Sequence, residues 1–174
     1  MKSPINIKSS VLAGTSVGIP PRNIKFAHDY YASRRYPIAG NAFASSFIAV
    51  LSGAFPPGER FFVESVRHFR DQITDTELKA QVSGFIGQEA LHGREHDRLN
   101  AVFSDMGIRV DFAEKGVKMG LSLLERFSPE QQLACTIFME HFTAIFGESF
   151  LRSRQFRDAC EPESLKLWTW HALE

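Results

Sequence analysis

Four segments of the chain place apolar residues at alternating steps of four and three, the spacing of a helix face that packs in a left-handed bundle. The first stripe is Phe55, Glu59, Phe62, Val66, Phe69 and Ile73. The second is Leu78, Val82, Phe85, Glu89, His92, His96, Leu99 and Phe103. The third is Leu133, Ile137, Glu140, Ala144, Gly147 and Leu151, and a shorter last one is Leu167, His171 and Glu174. These stripes predict an all-α fold. Ala39 to Gly53 reads as a short helix of small and apolar residues. Pro56-Pro57 then marks a new helix start, since proline is tolerated in a first turn. Thr74-Asp75-Thr76 supplies a turn and a cap, and the second helix ends near Met106-Gly107, with glycine as the C-cap. Asp111 to Phe127 predicts a helical connection back to the other end of the bundle. Ser128-Pro129-Glu130-Gln131 reads as a capping box that opens a helix to about Arg154. A loop over residues 158–163 precedes a last helix from near Ser164 to Glu174. Residues 1–25, rich in Ser, Gly and Pro, show no period and read as an irregular leader. Residues 26–174 form one helical domain in this reading, with the aromatic and basic residues of 26–38 laid over a bundle end.

Every stripe is interrupted by a carboxylate. A carboxylate on a buried face costs on the order of several kcal/mol unless something compensates it. Taken singly, Glu59 or Glu140 has a plainer reading, half-buried with its head in water or paired with an arginine. Glu89-x-x-His92 is different, because the i, i+3 spacing points both side chains at one spot. Glu59 lies fifteen residues before Thr74 and Glu89 fifteen after, so a hairpin turning there brings both carboxylates to one height. Glu140 and Glu174 are related in the same way about Arg157. The set Glu59, Glu89, His92, Glu140 and Glu174 therefore predicts a metal site inside the bundle. Oxygen donors with one imidazole per metal suit two divalent ions, iron or manganese before zinc. Bridged ions polarise a substrate oxygen or activate water, and iron can instead reduce dioxygen. His96, one turn past His92, is expected behind the ligands or as a polar core residue. Glu95 and His141 fall off the stripes and are expected at the solvated rim. Glu64 and His68 are not expected in the site, and Trp168 and Trp170 are expected to pack or lie at surfaces.

The segments FPPGERFF (55–62), FIGQEALHGREH (85–96), MEHFTAIFGE (139–148) and WHALE (170–174) resemble the family of predicted metal-dependent hydrolases, related to the ferritin-like group. The resemblance covers about residues 26–174. It implies a ferritin-like four-helix bundle with an N-terminal extension, and a metal site at Glu59, Glu89, His92 and Glu140. In that family the WHALE segment continues into a second Glu-x-x-His. Here the sequence stops at Glu174, so the last helix is expected to be incomplete. Part of the apolar seam, including Val82, Phe85, Leu133 and Ile137, is then expected to lie uncovered. The resemblance implies a hydrolase but no substrate. An oxygen-activating di-iron oxidase or oxygenase, a metal storage or binding protein, and a helical interaction module are the alternatives.

Composition narrows the field. Lys plus Arg and Asp plus Glu number twenty each, for zero formal charge. Nothing in that balance asks for nucleic acid or an anionic membrane. The longest uncharged, mostly apolar run, residues 42–55, is shorter than the roughly 20 residues a transmembrane helix needs. The first ten residues lack the apolar stretch of a signal peptide. Cys135 and Cys160 have no metal-ligand spacing and read as reduced thiols, which points to the cytoplasm. The expected partner is a small-molecule substrate, with a homo-oligomer left open.

Overall fold

The computed structural model describes residues 18–32, 36, 38 and 40–174. Residues 1–17 of the expected leader, and Arg34 and Arg35 of the aromatic-basic segment, lie outside the described residues. The chain is an all-α bundle of α1 (Asp29–Ala32), α2 (Ala42–Arg70), α3 (Thr76–Asp105), α4 (Val110–Leu124), α5 (Pro129–Arg152), α6 (Arg154–Ala159) and α7 (Pro162–Leu173). No helix among the described residues is long and apolar enough to cross a membrane.

Local chemistry sets the boundaries. Asn41 caps α2, its side chain accepting the Ala44 N–H at 3.0 Å. Asp75 caps α3 through the Leu78 N–H at 2.7 Å. The α3 end is a Schellman turn: Gly107 has φ 81°, its N–H reaches the Ser104 carbonyl, and the Ile108 N–H reaches the Phe103 carbonyl. Ser128 and Gln131 form the capping box of α5, with Pro129 in its first turn. Pro162 opens α7 in the same way.

Two expectations are corrected here. Pro56 and Pro57 do not start a helix; both lie inside the continuous α2. Proline removes the bond to the carbonyl four residues earlier, and at Pro56 that carbonyl belongs to Ser52. Asn100 Nδ2 on α3 donates to it at 3.1 Å, so the neighbouring helix supplies the missing bond. The loop expected over 158–163 is shorter, because α6 continues to Ala159.

α2 is the hub and packs against α3, α4 and α5, while α7 packs along α5. Gly53 lets α4 approach: a Cβ there would lie 2.9 Å from the Val110 carbonyl. Gly147 does the same for α7, where a Cβ would lie 3.0 Å from that of Ala172, as the small residues of the third stripe suggest. One apolar cluster gathers Ile48, Ala49, Leu99, Phe103, Leu167 and Trp168, and a second gathers Phe61, Phe62 and Leu121. Phe103 is fully enclosed; truncating such a phenylalanine to alanine costs about 3–5 kcal/mol. The polar residues Glu59, Glu89, His92 and His96 occupy the helix turns between these clusters. Val82, Phe85, Leu133 and Ile137 line an apolar groove beside the second cluster, and Ile137 is 62% exposed.

Candidate metal centre

Each long helix delivers one part of the polar layer. α2 supplies Glu59, 2% exposed. α3 supplies Glu89 and His92 one turn apart, both buried. α5 supplies Glu140, and α7 supplies His171 with Glu174 at its C-cap. All six line one cavity of about 360 Å³, whose remaining wall includes Phe55, Phe62, Phe142 and Phe146. The five residues picked out by the sequence thus lie around one space.

The shortest approaches centre on two imidazoles. His92 Nδ1 is 3.7 Å from Glu89 Oε1, and His92 Nε2 is 3.5 Å from Glu174 Oε2. His171 Nε2 is 3.6 Å from Glu59 Oε1. The two rings stack, with centroids 4.3 Å apart and planes 16° apart. One ligand atom each from Glu59, His92 and His171 lies within 4.8 Å of the others. Two ligands about 2.1 Å from a shared ion lie up to about 4.2 Å apart, so the separations are close to those a cation needs.

Glu174 is held from outside. Its Oε1 accepts from Arg22 Nε at 2.7 Å, the Arg22 backbone N–H at 3.0 Å and Trp170 Nε1 at 3.1 Å. Its Oε2, facing His92, has no hydrogen-bond partner. The same is true of both Glu59 carboxylate oxygens and both ring nitrogens of His92. Buried polar groups are almost always satisfied, so this group of buried unpartnered atoms, three of the five being carboxylate oxygens, suits a bound cation.

Electrostatics agree. Burial, then the negative charge of Glu89 and Glu140, holds the Glu59 carboxyl well above the usual range. Burial and Glu89 push Glu140 up to about 7. Burial drives His171 well below its usual value, and drives His96 to about 3, with the His92 charge adding in both cases. Burial opposes the charged form of His92, but the facing Glu174 and Glu89 outweigh it and raise that pKa. Burial likewise opposes a charged Glu174, and His92 and Arg22 outweigh it and lower that pKa. Without a cation, Glu59 and Glu140 relieve their crowding by holding protons.

Several placements differ from expectation. Glu95 is not at a solvated rim. It is 1% exposed and bonded to His28 at 2.9 Å, Arg94 at 2.9 Å and Arg98 at 2.9 Å. These partners offset its burial and lower its pKa. His171 enters the cluster although the sequence reading placed it only on an inward face. The available signal was His171-x-x-Glu174, the reverse of Glu89-x-x-His92. Arg22 had no signal, since it falls in the aperiodic leader. His96 lies behind His171, with Nε2 2.8 Å from His171 Nδ1. His141, Glu64 and His68 are exposed, and both tryptophans are packed.

A family model described as "Predicted metal-dependent hydrolase" matches residues 20–174. The chain belongs to this family. Comparison with curated proteins and with solved structures finds no match. The family's description implies a divalent metal, and the Glu59–His92–His171 cluster between α2, α3 and α7 could hold one.

Proposed function

We propose that the protein is a metal-dependent hydrolase whose ion is held by Glu59, His92 and His171. The observation that carries this reading is the set of buried atoms with no partner at Glu59, His92 and Glu174. Glu89, Glu140 and Glu174 add oxygen donors around the same cavity, which makes room for a second ion and a ferritin-like di-metal centre. An oxygen-rich set suits iron or manganese, and the second imidazole brings zinc within range. A divalent ion there would supply Lewis acidity, polarising a substrate oxygen and acidifying water.

The chain's own residues supply the rest. The phenylalanine wall of the cavity favours a small, partly apolar substrate. Glu140 has a pKa near 7, the range in which a carboxyl exchanges protons at neutral pH. Arg22 and Trp170 fix one oxygen of Glu174 and leave the other directed at His92. Both cysteines are free thiols, in keeping with a reducing cytoplasmic setting. Exposed Phe43, Phe138 and Phe142 fit a chain that associates with its own copies.

The test is to strip the protein with a chelator, titrate manganese, iron(II) or zinc by calorimetry, and screen carboxyl and phosphoryl esters with each. Saturable binding that His92→Ala and His171→Ala both abolish, with ion-dependent ester cleavage, is the expected result. Binding that survives both substitutions would refute the assigned site. Turnover that needs dioxygen would replace hydrolysis by oxidation.

A further inference from the structure

A row of hydrogen bonds runs into the site from the α2–α3 interface. It begins at the proline step of α2. Asn100 Nδ2 donates to the Ser52 carbonyl that Pro56 leaves free, which fixes the orientation of the amide. Asn100 Oδ1 then accepts the Ser52 hydroxyl proton at 2.7 Å. A hydroxyl has one proton to give. Towards His96 Nδ1, 2.9 Å away, Ser52 Oγ is therefore the acceptor, and His96 Nδ1 carries a hydrogen.

His96 Nε2 faces His171 Nδ1 at 2.8 Å, and one of the two must donate. If His96 donated from both nitrogens it would be a cation. It is 0% exposed, against the rings of Phe55 and Trp168 at 4.8 and 5.1 Å, and none of its hydrogen-bond partners among the described residues is a carboxylate. A buried cation with no counter-charge is strongly disfavoured. His96 Nε2 is thus the acceptor and His171 Nδ1–H the donor. In the neutral ring, this leaves a lone pair on His171 Nε2, the atom 3.6 Å from Glu59 Oε1.

We infer that Asn100, Ser52 and His96 are positioning residues that lock His171 in the Nδ1–H tautomer with the Nε2 lone pair aimed into the Glu59–His92–His171 cluster. The opposite tautomer would carry a hydrogen on Nε2 and close that position to a cation. The inference rests on the metal-site reading for its purpose, but not for its first test. Hydrogen-bonded neighbours that fix a ligand histidine change metal affinity by about 10- to 100-fold when removed.

The first measurement is long-range proton–nitrogen NMR of the metal-free, nitrogen-15-labelled wild-type protein, with resonances assigned through His96→Gln and His171→Gln. Both His96 and His171 are expected as Nδ1–H tautomers; His171 observed as Nε2–H overturns the inference. The second is zinc affinity by chelator competition. Ser52→Ala is expected to weaken zinc binding about 10- to 100-fold and to release a His171 Nε2–H population. Ser52→Thr, which keeps the hydroxyl, should recover most of the affinity. Unchanged zinc affinity and tautomer in a folded Ser52→Ala protein also overturn the inference. If wild type binds no zinc, or His171→Ala binds it unchanged, the metal-site reading fails, and the wild-type tautomers still decide the lock.

Discussion

Replacing Glu59 by glutamine keeps the shape of the side chain and removes the charge that burial, Glu89 and Glu140 oppose. At pH 8, Glu59→Gln is expected to stabilise the metal-free protein by roughly 1–3 kcal/mol, a rise of about 2–4 °C in Tm per kcal/mol, while lowering its metal content. A purely structural glutamate would give the opposite stability change, so thermal unfolding of the stripped variant decides between them. The pH dependence belongs to the same residues. Above about pH 6.5 the histidines of an unfolded chain are mostly neutral, so the opposing contribution of His96 and His171 fades as pH rises. Glu59, Glu140 and His92 remain, each holding a proton in the fold that the unfolded chain has released. Their stabilising contribution, present at lower pH, is lost as pH rises through the folded values, about 7 for Glu140. Metal-free protein is therefore expected to lose stability between pH 6.5 and 8 in urea titrations, and saturating metal should remove the loss. Below pH 6.5 the sign reverses for His96 and His171, which must stay neutral in the fold. At this scale the sequence was legible wherever a polar residue broke an apolar stripe: Glu59, Glu89, His92, Glu140 and Glu174 all reach one cavity. Glu95 was misread because stripe position alone says nothing of His28, 67 residues away. His171 was under-read because its partner spacing runs in the reverse order.

The helices show a second level of design in α2. A Pro-Pro step halfway along an α-helix breaks its hydrogen-bond ladder, and the sequence reading took it as a boundary for that reason. Tertiary structure overrides the local rule, because Asn100 on α3 bonds the Ser52 carbonyl. No periodicity reports such a cross-helix bond. Asn100→Leu should leave that carbonyl and the Ser52 hydroxyl without their partner and cost about 1–3 kcal/mol. Urea unfolding would show it as a lower midpoint with unchanged slope. Gly53→Val probes the neighbouring contact: its side chain would meet the Val110 carbonyl, and overpacking of this kind costs roughly 1–3 kcal/mol. Caps, by contrast, were legible at Gly107 and Ser128 and to within a residue at Asp75, because their chemistry is local, whereas α7 opens at Pro162, two residues before the expected start near Ser164.

For the whole molecule, two apolar clusters sandwich a polar layer that α2, α3, α5 and α7 join. An arrangement evolved only for stability would fill that layer with apolar residues. Here it holds four carboxylates and three imidazoles around or behind a cavity, at a cost that a bound cation would offset. The direct test is elemental analysis of protein purified without added metal, then dialysed against excess manganese, iron(II) or zinc. The account predicts at least one tightly held divalent ion per wild-type chain and a sharp loss in Glu59→Gln and His92→Ala, all three keeping their helical circular dichroism. A folded wild-type protein that retains no divalent ion under any of these conditions would contradict it.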